Sequence, residues 1–287
     1  VAGDTPARIA ITSDDHWLLS SSKSTDSDQE LLQIWNLQDS ESSGRMLGNV
    51  DGMVRCLSLS ADTNWFAVGT TSGWLKIDST ATLQIDNQPS QTLLESVEVL
   101  AIASDSSFVV YAGEDDMQGK TNSAWFVPIG SSTATKLPCL HRDVIEAIAI
   151  SPDNSLVATG GAHDDASVQI CSPGSDRPAI TIPAGHDSSI LSLVFDNSND
   201  WIISASPTAV FLNQVSRPDA PLQIGPTTQV KQVSLSADGE WIVLLDSTGQ
   251  VQLWHLLECK MIQQACREAG VLRMRVRPVP RDIPNEI

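Results

Sequence analysis

The chain has 287 residues, 41% of them hydrophobic and 18% charged, with 35 acidic against 17 basic side chains and a formal net charge of −18. No apolar stretch approaches the roughly 18–20 residues a membrane helix needs, and the acidic balance opposes a nucleic-acid partner, because counterion release requires a basic surface. Five cysteines, an odd number without CxxC spacing, argue against a disulfide framework or a zinc site and favour a reducing, cytoplasmic setting.

Taken in chain order, six segments repeat one pattern. Each has an apolar strand, a short polar turn, a second apolar strand, a Gly/Ser/Thr/Asp turn and a third strand. The first strands are PARIAI, VRCLSL, VEVLAI, IEAIAI, ILSLVF and VKQVSL, and the third strands LLQIWNL, GWLKID, AWFVPI, SVQICS, AVFLNQ and VQLWHL. The first turn carries Asp14, Asp62, Asp105, Asp153, Ser198 and Asp238 in one column, spaced by 48, 43, 48, 45 and 40 residues. That is the period of four-stranded propeller blades. Two residues earlier stand Thr12, Ser60, Ala103, Ser151, Asp196 and Ser236; three later stand Trp17, Trp65, Phe108, Leu156, Trp201 and Trp241. A large ring recurring at one position reads as packing between blades rather than as ligand binding. Outer strands fit at 45–48, within 83–94, and at 133–137, 179–183 and 221–224.

The end of the chain departs from the repeat. ECKMIQQACREAG predicts a short helix with Met261, Ile262 and Cys266 on one face, and Gly270 stops it. VLRMRVRP alternates Leu272, Met274 and Val276 against arginines, an edge-strand pattern assigned to the outer position of the sixth blade. Residues 260–287 hold six basic and three acidic side chains, the reverse of the body. The expected fold is all-β: one β-propeller over 1–257 with six four-stranded antiparallel blades, or seven if another segment supplies one. The helix, closing strand and Pro-containing tail of 258–287 pack on the last blade. Val1 in place of Met reads as a piece of something longer.

The residues IWNL at Trp35, LWHL at Trp254, Gly185-His186 before ILSLVF, and the turns SPDN (Ser151–Asn154) and SADG (Ser236–Gly239) resemble bacterial WD-repeat proteins. The resemblance implies a His, Ser/Thr, Asp and Trp joined by buried hydrogen bonds within a blade. Here the repeats are degenerate: the His position is filled by His141 and His186, and the Trp position elsewhere holds Asp78, Val127, Cys171 and Asn213. The fourth unit offers His141, Thr159 and either Asp164 or Asp165; the fifth has His186 but no Asp in its turn. Both histidines therefore read as structural. QQACREAG is similar to the tail following WD arrays in bacterial multidomain signalling proteins, which implies a sensor or scaffold half of a larger polypeptide.

No GxSxG elbow, P-loop, GxGxxG or HExxH is present, and the five histidines form no cluster, so neither catalytic residues, metal nor cofactor are expected. What remains is surface. Loops between second and third strands, and those leading into first strands, gather at one end of a propeller. They carry Asp26, Asp28, Glu30, Glu114, Asp115, Asp116, Asp143, Asp164, Asp165 and Asp187, with Met53, Met117 and Arg142 as anchor candidates. This acidic rim predicts a non-catalytic protein-interaction scaffold or sensor with a basic protein partner and no membrane or nucleic-acid role; oligomeric state stays open. The alternatives are a propeller enzyme or lectin-like domain with its site in the axial channel, and a structural subunit docking through its tail.

Overall fold

The computed structural model describes residues 6–12, 15–23, 29–39, 44–81, 90, 96–114, 122–175, 177–182, 185–224, 229–236, 238–268 and 275–276. Among the described residues the alternating apolar segments form six sheets whose strands run antiparallel in chain order, apart from one parallel strand at the edge of the fifth. Sheet 1 comprises β1 (Pro6–Ile11), β2 (Trp17–Lys23), β3 (Glu30–Asn36) and β4 (Arg45–Val50); sheet 2 comprises β5 (Val54–Leu59), β6 (Trp65–Thr70) and β7 (Leu75–Ser79). Sheet 3 holds β8 (Val99–Ile102), β9 (Phe108–Ala112), β10 (Asn122–Pro128) and β11 (Thr135–His141). Sheet 4 holds β12 (Ile145–Ile150), β13 (Val157–Gly161), β14 (Val168–Cys171) and β15 (Ile180–Ile182). Sheet 5 has β16 (Ser192–Phe195), β17 (Trp201–Ala205), β18 (Val210–Gln214) and β19 (Arg217–Ile224), and sheet 6 has β20 (Val230–Leu235), β21 (Trp241–Asp246) and β22 (Val251–His255). Inner strands pack in the order β1–β5–β8–β12–β16–β20, an arrangement consistent with propeller blades.

The turn column explains why six dissimilar segments fold alike. The hydroxyl two residues before the turn Asp accepts the N–H five residues on: Trp17 N to Thr12 at 3.0 Å, and Trp65, Leu156 and Trp241 N to Ser60, Ser151 and Ser236 at 2.9 Å. The turn Asp accepts that hydroxyl in turn, at 2.6 Å for Ser60–Asp62 and 2.7 Å for Ser151–Asp153. The next residue is left-handed in all six units: Asp15, Thr63, Ser106, Asn154, Asn199 and Gly239, with φ between 58° and 73°. Only the last is a glycine, and it has a second reason: a Cβ at Gly239 would stand 2.5 Å from Asn197 Nδ2 of the fifth sheet's turn. These turns also tie neighbouring sheets, as where Asn154 Oδ1 accepts Ser104 N at 3.0 Å.

The fifth sheet exchanges the two partners. Asp196 occupies the hydroxyl position and Ser198 the turn position, so Asp196 Oδ1 accepts Trp201 N at 3.0 Å and Oδ2 accepts Ser198 Oγ at 2.6 Å. The exchange buries a carboxylate, 2% exposed. Its counter-charge comes from the helix α1 (Leu256–Glu268), whose Lys260 Nζ lies 2.7 Å from Asp196 Oδ2 and 5.4 Å from the Trp201 ring centroid.

Three expectations are corrected. First, α1 begins at Leu256, directly after β22, and buries Leu256, Cys259 and Gln263 at i, i+3 and i+7 spacing; Met261 is 63% exposed, not on the packed face. Second, the terminal strand β23 (Arg275–Val276) runs parallel to β19 in sheet 5, rather than completing sheet 6. The helix carries the chain back across sheets 5 and 6, past β19, before that strand begins. Third, Cys139 and Cys171 are paired in a disulfide with Cα atoms 6.2 Å apart, although an odd cysteine count argued against one. Spacing misses it because β11 and β14 belong to consecutive sheets and meet only when these stack. Closing a loop of 32 residues is worth about 3–4 kcal/mol by loop-closure entropy. Reductant is therefore expected to lower the melting temperature of the native chain and leave a Cys139→Ala/Cys171→Ala variant unmoved, read by differential scanning fluorimetry.

Candidate functional site

At the end of the sheets opposite the Asp turns, the loop leading into the first strand bonds to the loop joining second and third strands in sheets 2, 4 and 6. Thr71 N donates to Met53 O at 2.9 Å, Ala162 N to Val144 O at 2.8 Å and Ser247 N to Gln229 O at 2.8 Å. The repeated bond fixes two loops per sheet into one surface. The sequence-selected residues sort differently across it.

Sheet 4 brings four of them together. Asp143 Oδ1 accepts its neighbour Val144 N at 2.8 Å, and its Oδ2 lies 3.4 Å from Asp164 N; Asp165 Oδ2 accepts Arg142 N at 2.6 Å. Asp164 and Arg142 are exposed. The short 3₁₀ turn His163–Asp165 then reaches sheet 5, where Ser189 Oγ accepts His163 N at 3.0 Å. Two residues before Ser189, Asp187 is exposed and accepts Thr208 Oγ1. Hydrogen bonding from Thr208 holds the Asp187 carboxyl below the usual carboxylate range. Asp143, Asp164 and Asp187 thus lie on neighbouring loops of sheets 4 and 5.

Asp165 faces inward as well. Its Oδ2 lies 3.4 Å from His141 Nδ1, and His141 Nε2 lies 2.8 Å from Thr159 Oγ1, so the choice left open between Asp164 and Asp165 falls to Asp165. Burial pushes His141 down, against the pull of Asp165; burial pushes Asp165 up, and bonds from Ser167 and Arg142 N with the nearby His141 more than reverse this. In sheet 5, His186 bonds Ser206 through Nδ1 at 2.9 Å and Ser204 through Nε2 at 2.8 Å. In sheet 1, Trp35 Nε1 donates to Ser20 Oγ at 3.0 Å. These are fragments of one hydrogen-bond chain, each closed on its own sheet.

Met53 is 50% exposed on the sheet 2 loop of the same end. Glu30 departs from the expected rim: it lies within β3 at 4% exposure, because the strand begins earlier than the loop reading placed it. Asp26, Asp28, Asp115, Asp116 and Met117 lie outside the described residues. Sequence reasoning missed Asp51 and Asp246 at this end. Asp246 Oδ1 accepts Thr248 N at 2.8 Å and Gln250 N at 2.9 Å, closing the turn between β21 and β22; the DSTG pattern there was a legible turn signal. Arg55 Nε pairs with Glu98 Oε2 at 3.2 Å, so these charges meet each other across sheets 2 and 3. Among the described residues there is no group of three or more His, Cys, Asp or Glu placed to hold a metal ion, and no helix is long and apolar enough to cross a membrane.

Repeated antiparallel sheets with a shared loop surface define a class of repeat-built, all-β modules whose sites lie in loops. Residues 136–172 and 178–207, covering sheet 4 and most of the first half of sheet 5, match the family model of the WD domain, G-beta repeat; these stretches carry WD40 repeats and support a WD-repeat family. No curated relative matches the chain.

Proposed function

We propose that this chain is a non-catalytic interaction module, a six-bladed propeller that recruits a basic protein partner through the acidic loop end of its sheets. The observation that supports the reading is the set of carboxylates Asp143, Asp164 and Asp187 on adjoining loops of sheets 4 and 5, with exposed Arg142 beside them. WD40 repeats generally mediate protein–protein interaction. Clustered like charge on a rigid surface raises the encounter rate with an oppositely charged partner and makes it salt-dependent. The partner-facing set extends in sequence to Asp26, Asp28, Asp115, Asp116 and Met117, with Met53 as an apolar contact. A scaffold or sensor of a bacterial signalling protein is the setting this reading fits.

The test is an affinity capture at about 50 and 150 mM salt, comparing the native chain with an Asp143→Asn/Asp164→Asn/Asp187→Asn variant. Asp165 is left intact because of its contact with His141. A binding partner whose capture weakens at higher salt and at least tenfold in the variant is the expected result. Partners held equally by both proteins would move the site away from this surface.

A further inference from the structure

Each of the five apolar cores between consecutive sheets includes the same two pairs of positions. On the incoming sheet these are first-strand residues five and three before the turn position: Leu57 and Leu59, Leu100 and Ile102, Ile148 and Ile150, Leu193 and Phe195, Val233 and Leu235. Each pair packs in the core cluster shared with the preceding sheet. On the outgoing sheet the matching pairs come from the third strand: Leu32 and Ile34, Leu75 and Ile77, Ala124 and Phe126, Val168 and Ile170, Val210 and Leu212. These complete the same five clusters.

The sixth pairing is unmade. In sheet 1 the incoming positions are Ile9 and Ile11, 57% and 51% exposed; in sheet 6 the outgoing positions are Val251 and Leu253, 58% and 46% exposed. Strand register puts them on the faces turned away from the existing cores. Ile9 and Ile11 sit opposite Ser20 and Leu18, whereas Leu19 of the same strand faces sheet 2; Leu253 and Val251 pair with Val243 and Leu245, whereas Ile242 and Trp254 face sheet 5. The inner strands β20 and β1 do not pack together as each other consecutive pair does. Two complementary halves of one repeated interface therefore stand apart, both bare.

We infer that the opening between sheets 6 and 1 is the docking site for one further repeat unit of this same kind, carried by a partner polypeptide outside residues 1–287. The occupant is an antiparallel sheet with an aliphatic first-strand pair facing Val251 and Leu253 and an aliphatic third-strand pair facing Ile9 and Ile11. This rests on continuity with the five interfaces already present: a surface complementary to both bare faces at once is, by that repetition, one blade. It is independent of the acidic loop surface.

Two variants and one fusion test it. In the 287-residue chain, Ile9→Asp/Ile11→Asp is expected to leave the melting temperature within a few degrees of native and to reduce binding of an apolar dye such as ANS. Leu57→Asp/Leu59→Asp, at the same positions of a made interface, is expected to unfold the chain. As a probe for the occupant, residues 142–185 are duplicated ahead of Val1 in the full chain. The fusion is expected to melt at least 5 °C higher and bind less ANS, and Ile9→Asp/Ile11→Asp is expected to abolish both gains. A large loss of stability from Ile9→Asp/Ile11→Asp without the fusion would show that the ring shuts on itself and would overturn the proposal. A fusion that melts and binds dye like the native chain would also overturn it. So would a native dimer, by light scattering, that Ile9→Asp/Ile11→Asp disperses, since a second copy would then be the occupant.

Discussion

Replacing Lys260 by alanine is expected to cost about 2–3 kcal/mol, a shift of roughly 6–9 °C in melting temperature for a chain of this size. The lysine is the counter-charge of Asp196, which is 2% exposed because the fifth unit exchanges the Ser and Asp of its turn. Removing one partner of a buried pair leaves an uncompensated charge, and that penalty exceeds the net value of the intact pair. Two retained bonds, from Trp201 N and Ser198 Oγ, hold the cost at the lower end. The diagnostic comparison is an Asp196→Ser/Ser198→Asp background, which restores the arrangement of the second, fourth and sixth turns. There Lys260→Ala should cost less than about 1 kcal/mol, since only its contact with the Trp201 ring is lost. Urea denaturation of the four proteins reads the coupling. Equal losses in both backgrounds would assign Lys260 to helix packing instead.

Acid is expected to destabilise the fold well above the carboxylate range. Burial pushes His186 down to about 4 from its ordinary value near 6.5, with Asp187 pulling the other way, and burial also lowers His141. Both rings are held neutral in the folded state, so the unfolded chain binds more protons between these limits. Stability is complete above pH 6.5 and is lost as pH falls toward about 4, by up to about 3 kcal/mol for His186. The turn carboxylates Asp153 and Asp238 are depressed by bonds from Ser151 and Ser236, and Asp165 is depressed as well. Their stabilising effect is present above the unfolded value and fails only below it, so they do not contribute to loss between pH 4 and 6.5. Equilibrium unfolding at a series of pH values should show that loss in the native chain and a flatter profile in His186→Gln. An unchanged profile in the variant would remove His186 from the account.

Much of the repeat was legible because its determinants are local. A hydroxyl, an Asp two residues on and a large apolar residue three further close a turn by bonds spanning five residues in most units, and a left-handed residue follows in all six. The exchange of Asp196 and Ser198 was visible as a break in the column. Its consequence was not, because Lys260 is 64 residues away. Separation along the chain likewise hid the Cys139–Cys171 pair, 32 residues apart, and tertiary packing decided the exposure of Met261. For the loop surface, residue type revealed which side chains carry charge. Strand limits decided which reach solvent: Asp164 does and Glu30 does not.

By itself the sequence determined the period, the strand alternation, the turn chemistry and the acidic balance, since each depends on residues within one turn or one strand of each other. Which face of each sheet finds a partner, where the C-terminal helix docks and which buried charge it neutralises were decided only by the stacking of sheets. Val251 and Leu253 read like every other third-strand pair. Their exposure exists because no sheet lies against them, and that is a property of the assembled molecule rather than of any segment in it.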